Sequence, residues 1–177
     1  MAVLTKKVQT PGATDILDLT TALAQAYFDS GDPVSGAATY HKAIQAYPTE
    51  PTPPNNLAYA YATAGTNLPE ALRLSQQAIA LAAKKNDGDE ETATYQDTLG
   101  WVQYRLGNLP EAERNLQEAA DALPRLPEVR FHLGTVYAAE GKTDAARTEL
   151  SHALLLSPGY AAAKQALDQL PKAGAAS

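Results

Sequence analysis

A spacing of thirty-four residues governs this chain. Within residues 98–124 the markers Leu99, Gly100, Gly107, Ala112, Leu116, Ala119 and Pro124 follow one another. Thirty-four places later they return as Leu133, Gly134, Gly141, Ala146, Leu150, Ala153 and Pro158. Seventy-six places earlier a relaxed copy reads Leu23, Ala24, Gly31, Gly36, Tyr40, Ala43 and Pro48. A fixed period of this length specifies stacked helix pairs, since one pair alone leaves an apolar face bare and its neighbour covers it.

Composition agrees with helices. The chain has 177 residues and is 45% hydrophobic, mostly Ala and Leu, both good helix formers. Sparse Val and Ile argue against a large sheet. The net charge of -6 is spread along the chain, with no basic stripe for nucleic acid. The absence of cysteine removes disulfides, thiolate catalysis and cysteine metal sites. No apolar run approaches the eighteen or so residues of a membrane span. The opening MAVLTKK lacks the apolar core of a signal peptide. The sequence as given reads as cytoplasmic, and a periplasmic home stays open if it is a fragment of an exported protein.

In chain order, residues 1–14 read as a flexible lead-in, and Thr14 or Asp15 as the cap of the first helix. Residues 15–170 form one array, with repeats at about 17–50, 51–85, 93–126 and 127–160 and a capping helix at 160–170. Residues 171–177 are expected to be disordered. Gly31 stops one helix and Asp32-Pro33 starts the next, with proline where a missing N–H costs nothing. The second repeat is the weakest. Leu57, Ala58, Tyr61 and Gly65 keep register, but its turn holds one extra residue, Ser75 stands in an apolar place and Ala83 in that of proline. Residues 84–92 add most of an eight-residue excess. Their Asp87-Gly88-Asp89 lacks the spacing of an EF-hand and reads as a solvated turn with acids at a helix start. Asn108 with Glu111 forms a capping-box pattern. Tyr160, Ala163, Leu167 and Leu170 share one face of the last helix.

These residues resemble the tetratricopeptide repeat (TPR) family: Leu-Gly or Leu-Ala, a Tyr three residues on, then Gly, Ala, a large apolar residue, Ala and Pro. The resemblance covers almost the whole chain. It implies an all-α fold, a right-handed α-α superhelix of four antiparallel helix pairs plus the capping helix, with first helices lining a concave groove. Gly100, Gly134, Ala112 and Ala146 are small enough for close approach. Leu99, Leu116, Leu133 and Leu150 fill the space between helices, and Tyr27, Tyr61 and Tyr137 bridge neighbours, with Gln103 in that slot of the third repeat.

Helical spacing places Asp97, Trp101 and Tyr104 on one face, opposite the packing stripe. The equivalents are Thr21, Gln25 and Phe28 in the first repeat, Asn55, Tyr59 and Ala62 in the second, and Phe131, Thr135 and Ala138 in the fourth. Asn56, Thr63, Arg105 and His132 adjoin them. In the family this face grips peptides or partner helices. The expected peptide-binding residues are Asn55, Asn56, Tyr59, Asp97, Trp101, Tyr104, Arg105, Phe131 and His132. Aromatic and Arg side chains dominate interface energies, and Asn offers both donor and acceptor to a peptide backbone. Trp101 and Phe131 have a second reading, as plugs between adjacent first helices.

One branch of the family grips a carboxylate with two lysines, an arginine and two asparagines. Here only Asn56 stands in such a place; Thr21, Gln25, Thr94 and Thr98 fill the others. Binding of the acidic C-terminal tails of cytosolic heat-shock chaperones is therefore not expected. His41, His132 and His152 lie on different helices without metal-ligand spacing. No strand precedes Ser30-Gly31 or Ser35-Gly36 to make a nucleophile elbow. Neither enzyme activity nor a cofactor is expected.

The leading expectation is an interaction scaffold that binds a partner peptide or helix in the groove. Beside it stands self-assembly as a homo-oligomer through the ends or the groove. A fainter resemblance links the DTLGWVQYRLG run to long bacterial proteins of envelope or polysaccharide assembly.

Overall fold

The computed structural model describes residues 12–171; the expectations for a flexible lead-in and a disordered tail fall largely outside them. Every regular element among the described residues is an α-helix. The chain divides into two compact units, Met1–Pro48 and Thr49–Ser177.

The first unit pairs α1 (Ala13–Asp29) with α2 (Pro33–Ala46). Helix α1 begins at Ala13, ahead of the caps expected at Thr14 or Asp15. Gly31 sits at φ +82 and turns the chain, and the Asp32 carboxylate accepts from the Ser35 N–H to start α2. Gly36 lets the pair close: a Cβ there would lie 2.5 Å from the Phe28 ring and 3.0 Å from the Ala24 carbonyl. Tyr40 is buried, and its hydroxyl donates to Gln25 Oε1 at 3.3 Å.

The second unit holds α3 (Thr52–Ala64), α4 (Leu68–Lys85), α5 (Asp89–Arg105), α6 (Leu109–Ala122), α7 (Pro127–Ala139), α8 (Thr143–Leu156) and α9 (Ala161–Gln169). Each helix packs on the next, and the first helices also touch in series, α3 on α5, α5 on α7 and α7 on α9. That contact pattern makes two layers. Within the α5/α6 and α7/α8 pairs a glycine admits a leucine of the partner helix. A Cβ at Gly100 would fall 2.6 Å from Leu116 Cγ, and one at Gly134 would fall 2.8 Å from Leu150 Cγ. Between pairs, Val129, Leu133 and Val136 of α7 share a fully buried cluster with Ala112, Leu116, Ala119 and Ala120 of α6. Leu23 stands in the same place of its repeat as Leu133, yet it is 51% exposed against 1%.

The eight-residue excess builds helix rather than loop. Helices α4 and α5 run 18 and 17 residues, where α3, α6, α7 and α8 run 13 or 14. Asn86, at φ +58, ends α4, and Asp89, Glu90 and Glu91 occupy the first turn of α5, where the helix dipole favours acids. Ser75 is buried in its apolar place, its hydroxyl satisfied by the Leu72 carbonyl at 3.0 Å. The capping box expected at Asn108 is absent: its side-chain amide donates instead to Gln103 Oε1 at 2.8 Å. The Tyr-to-Gln change at Gln103 supplies that acceptor.

Candidate functional site

The nine expected peptide-binding residues all lie on the first helices α3, α5 and α7 of the second unit. Their face curves inward. The Tyr59 hydroxyl of α3 donates to Glu128 Oε1 at the start of α7, passing over the intervening α5. Side chains from helices two repeats apart meet this way only across a hollow.

Aromatic rings line that hollow. Trp101 stacks on Tyr104 at 5.0 Å between centroids and on His132 at 4.3 Å. Phe131 tilts against Trp101 at 6.0 Å and against Tyr160 at 5.2 Å. Tyr59 stands 6.0 Å from the His132 ring. The degree of exposure then separates the nine. Asn55, Asp97, Trp101 and His132 are buried, while Asn56, Tyr59, Tyr104, Arg105 and Phe131 keep part of their surface in solvent. Trp101, 8% exposed, has its faces taken by Tyr104 and His132, and its indole N–H has no acceptor. Asn55 Oδ1 likewise lacks a donor, while its amide nitrogen donates to Asn56 Oδ1 at 3.3 Å. Buried polar groups are almost always paired, so two orphans on one face mark an unfilled hydrogen-bonding demand.

Asp97 and His132 form a buried couple. His132 Nδ1 lies 2.9 and 3.0 Å from the two carboxylate oxygens, which fixes that nitrogen as the donor. The couple joins α5 to α7 and holds the imidazole flat against Trp101. Arg105 is committed to the fold. Its guanidinium donates to the Ala62 carbonyl and, at 3.1 Å, to the Thr63 carbonyl, closing the last turn of α3. A cation suits carbonyls at the negative end of the helix dipole. Two of the expected equivalents in the first unit bond within their own helix: Thr21 is buried with its hydroxyl on the Asp18 carbonyl, and the Gln25 amide donates to Asp29 at 2.8 Å.

Two residues missed by sequence reasoning complete the hollow. Glu128 reads as an ordinary acid in the first turn of a helix, and Tyr160 as an apolar residue of the capping face. Burial pushes the Tyr59 hydroxyl well above the usual tyrosine range, and the Glu128 charge raises it further. Tyr160 moves the same way, by burial first and then by the charges of Glu128 and Asp97. Both phenols therefore stay neutral. Among the described residues no cluster of His, Asp and Glu could hold a metal ion, and no helix is long and apolar enough to cross a membrane.

An all-helical array of antiparallel pairs, with an aromatic hollow on its first-helix layer, defines the helical-repeat class of solenoid proteins. Two tetratricopeptide repeat models match residues 49–125 and 103–170. The chain belongs to the tetratricopeptide repeat family. No curated protein matches the sequence significantly. Solved structures share the fold. A chain of the APC/C hetero-tetramer Cut9-Hcn1 is 18% identical over 86% of this chain and 29% of that one, with a TM-score of 0.73; this chain thus spans less than a third of that protein. PilF of Pseudomonas aeruginosa is 19% identical over 89% and 68%, at 0.70. YrrB, described as a TPR protein with an unusual peptide-binding site, is 21% identical over 84% and 72%, at 0.56.

Proposed function

We propose that this chain is an interaction scaffold that holds an extended peptide in the hollow of α3, α5 and α7. The observation that carries this reading is the pair of buried, unpartnered polar atoms, Trp101 Nε1 and Asn55 Oδ1, on an aromatic-lined face. One is a donor and the other an acceptor, the complement of a peptide's alternating carbonyl and N–H groups. Tyr59, Tyr104 and Phe131 supply the partly exposed contact area, Asn56 adds an amide at the rim, and Trp101 with His132 and Asp97 forms the rigid floor. Arg105 supports the face through α3. Among the described residues the face offers no free cation for a terminal carboxylate, so acidic chaperone tails fall outside the proposed ligand class.

Alanine at Tyr59 together with Tyr104 tests the reading, because both are half-buried. Capture of partner peptides from a random library should fall at least tenfold while helix content stays constant. Undiminished capture would place binding elsewhere. Trp101 is a poor site for this test, since its loss removes a buried ring and lowers stability by about 3–5 kcal/mol. Self-assembly remains the rival, favoured by the exposed Leu19 and Leu23 of α1. Light scattering over a concentration series separates the two.

A further inference from the structure

Glu128 is a carboxylate in an unusual position. It is half-buried at the head of α7, where its one ordered contact is the neutral Tyr59 hydroxyl. No lysine or arginine among the described residues pairs with it. Around it stand Tyr59, Phe131 one helical turn on, and Tyr160, whose ring packs on Phe131. The second acid of the face, Asp97, is answered by His132. The one guanidinium of the face, Arg105, is spent on the carbonyls of α3. The hollow therefore holds an uncompensated negative charge walled by aromatic rings.

We infer that Glu128, with Tyr59, Phe131 and Tyr160, forms a subsite for a cationic side chain, an arginine or lysine of the bound peptide. The inference rests on the groove reading above and adds the charge class of the partner. A guanidinium or ammonium in this position donates a charge-assisted hydrogen bond to the carboxylate, stronger than a neutral one. Its aliphatic stem and charged head also lie against ring faces, which attract cations. The orphan Trp101 N–H and Asn55 Oδ1 are then available to the flanking peptide backbone. The Tyr59 and Tyr160 hydroxyls are raised first by burial, and the Glu128 charge adds to both. An acidic peptide meets repulsion from the Glu128 charge here.

The chain's single tryptophan makes the test direct, since Trp101 forms the floor of the hollow. Three degenerate nonapeptide libraries, alike except for a fixed central Arg, Gln or Glu, are passed over the immobilised full chain. Enriched peptides are then titrated against Trp101 fluorescence. The Arg library should enrich most, and its best peptides should bind at least tenfold tighter than their Gln counterparts. Glu128→Gln should erase that tenfold margin while leaving affinity for the Gln peptide within twofold. Gln still accepts from Tyr59, and thermal melting confirms that the variant is folded. Raising salt from low to high should weaken the Arg peptide selectively. Equal or better binding of the Gln or Glu library, or an unchanged margin in Glu128→Gln, overturns the cation subsite and leaves the groove standing. Failure of all three libraries to perturb Trp101 overturns both.

Discussion

Replacing Gly134 with alanine sets two effects against each other, and the geometry decides the sign. In an unhindered helix the change stabilises by about 1 kcal/mol, because glycine is the freer residue in the unfolded chain. Here the new Cβ would sit 2.8 Å from Leu150 Cγ and 3.1 Å from both Leu150 Cδ2 and the Leu150 backbone nitrogen. The leucine branch can rotate away, but the backbone nitrogen lies inside α8 and moves only with the helix. Overpacking of this kind costs about 1–3 kcal/mol. Backbone contact puts the site at the upper end, so the net loss should be about 1–2 kcal/mol. Removing the branch isolates the cause. Leu150→Ala alone should cost about 2–5 kcal/mol. The double variant should cost less than the two singles together by about 1 kcal/mol, since residues in contact couple. Urea denaturation followed by far-ultraviolet circular dichroism measures all three. A Gly134→Ala protein as stable as the parent, or singles that simply add, would refute the claim that close approach of α7 and α8 requires a glycine.

Other expectations follow from single contacts. Leu133→Ala should lose about 2–4 kcal/mol and Leu23→Ala less than about 1, although both hold the same place in the repeat, because only Leu133 is sealed; the same denaturation assay compares them. Arg105→Ala should cost about 1–2 kcal/mol and speed amide hydrogen exchange in the last turn of α3, whose carbonyls it serves. Burial first, and then the nearby Asp29 charge, pushes the Tyr40 hydroxyl from 10.0 up to about 12. Its folded-state pKa is raised, so the unfolded chain loses this proton first. The contribution is present below pH 10 and is lost as pH rises through about 12. Alkaline titration of the parent should show that loss, of order 2 kcal/mol, and Tyr40→Phe should flatten the curve.

The array was legible in the sequence because packing positions recur. Leu99 and Gly100 announce Leu133 and Gly134, and each glycine does face a leucine of its partner helix. The length of α4 and α5 was not, since an eight-residue excess can extend a loop or wind one more turn on two helices with no change in the markers. For the candidate site, spacing identified the face but not how its side chains spend themselves. Arg105 finds its acceptors on another helix, at Ala62 and Thr63, and His132 finds Asp97 across a repeat boundary. Helical periodicity carries no information on such contacts. Glu128 was hidden for a different reason: an acid in a first turn already has a sufficient local explanation, and only the hydroxyl of Tyr59 reveals a second one.

The link from Tyr59 to Glu128 ties the middle of α3 to the first turn of α7, over α5. A solenoid is a spring, and a tie across its inner side sets the resting bend. Any visitor that draws the Glu128 carboxylate toward itself loosens that tie and softens the spring at the same moment. Occupancy and stiffness are thus two readings of one bond.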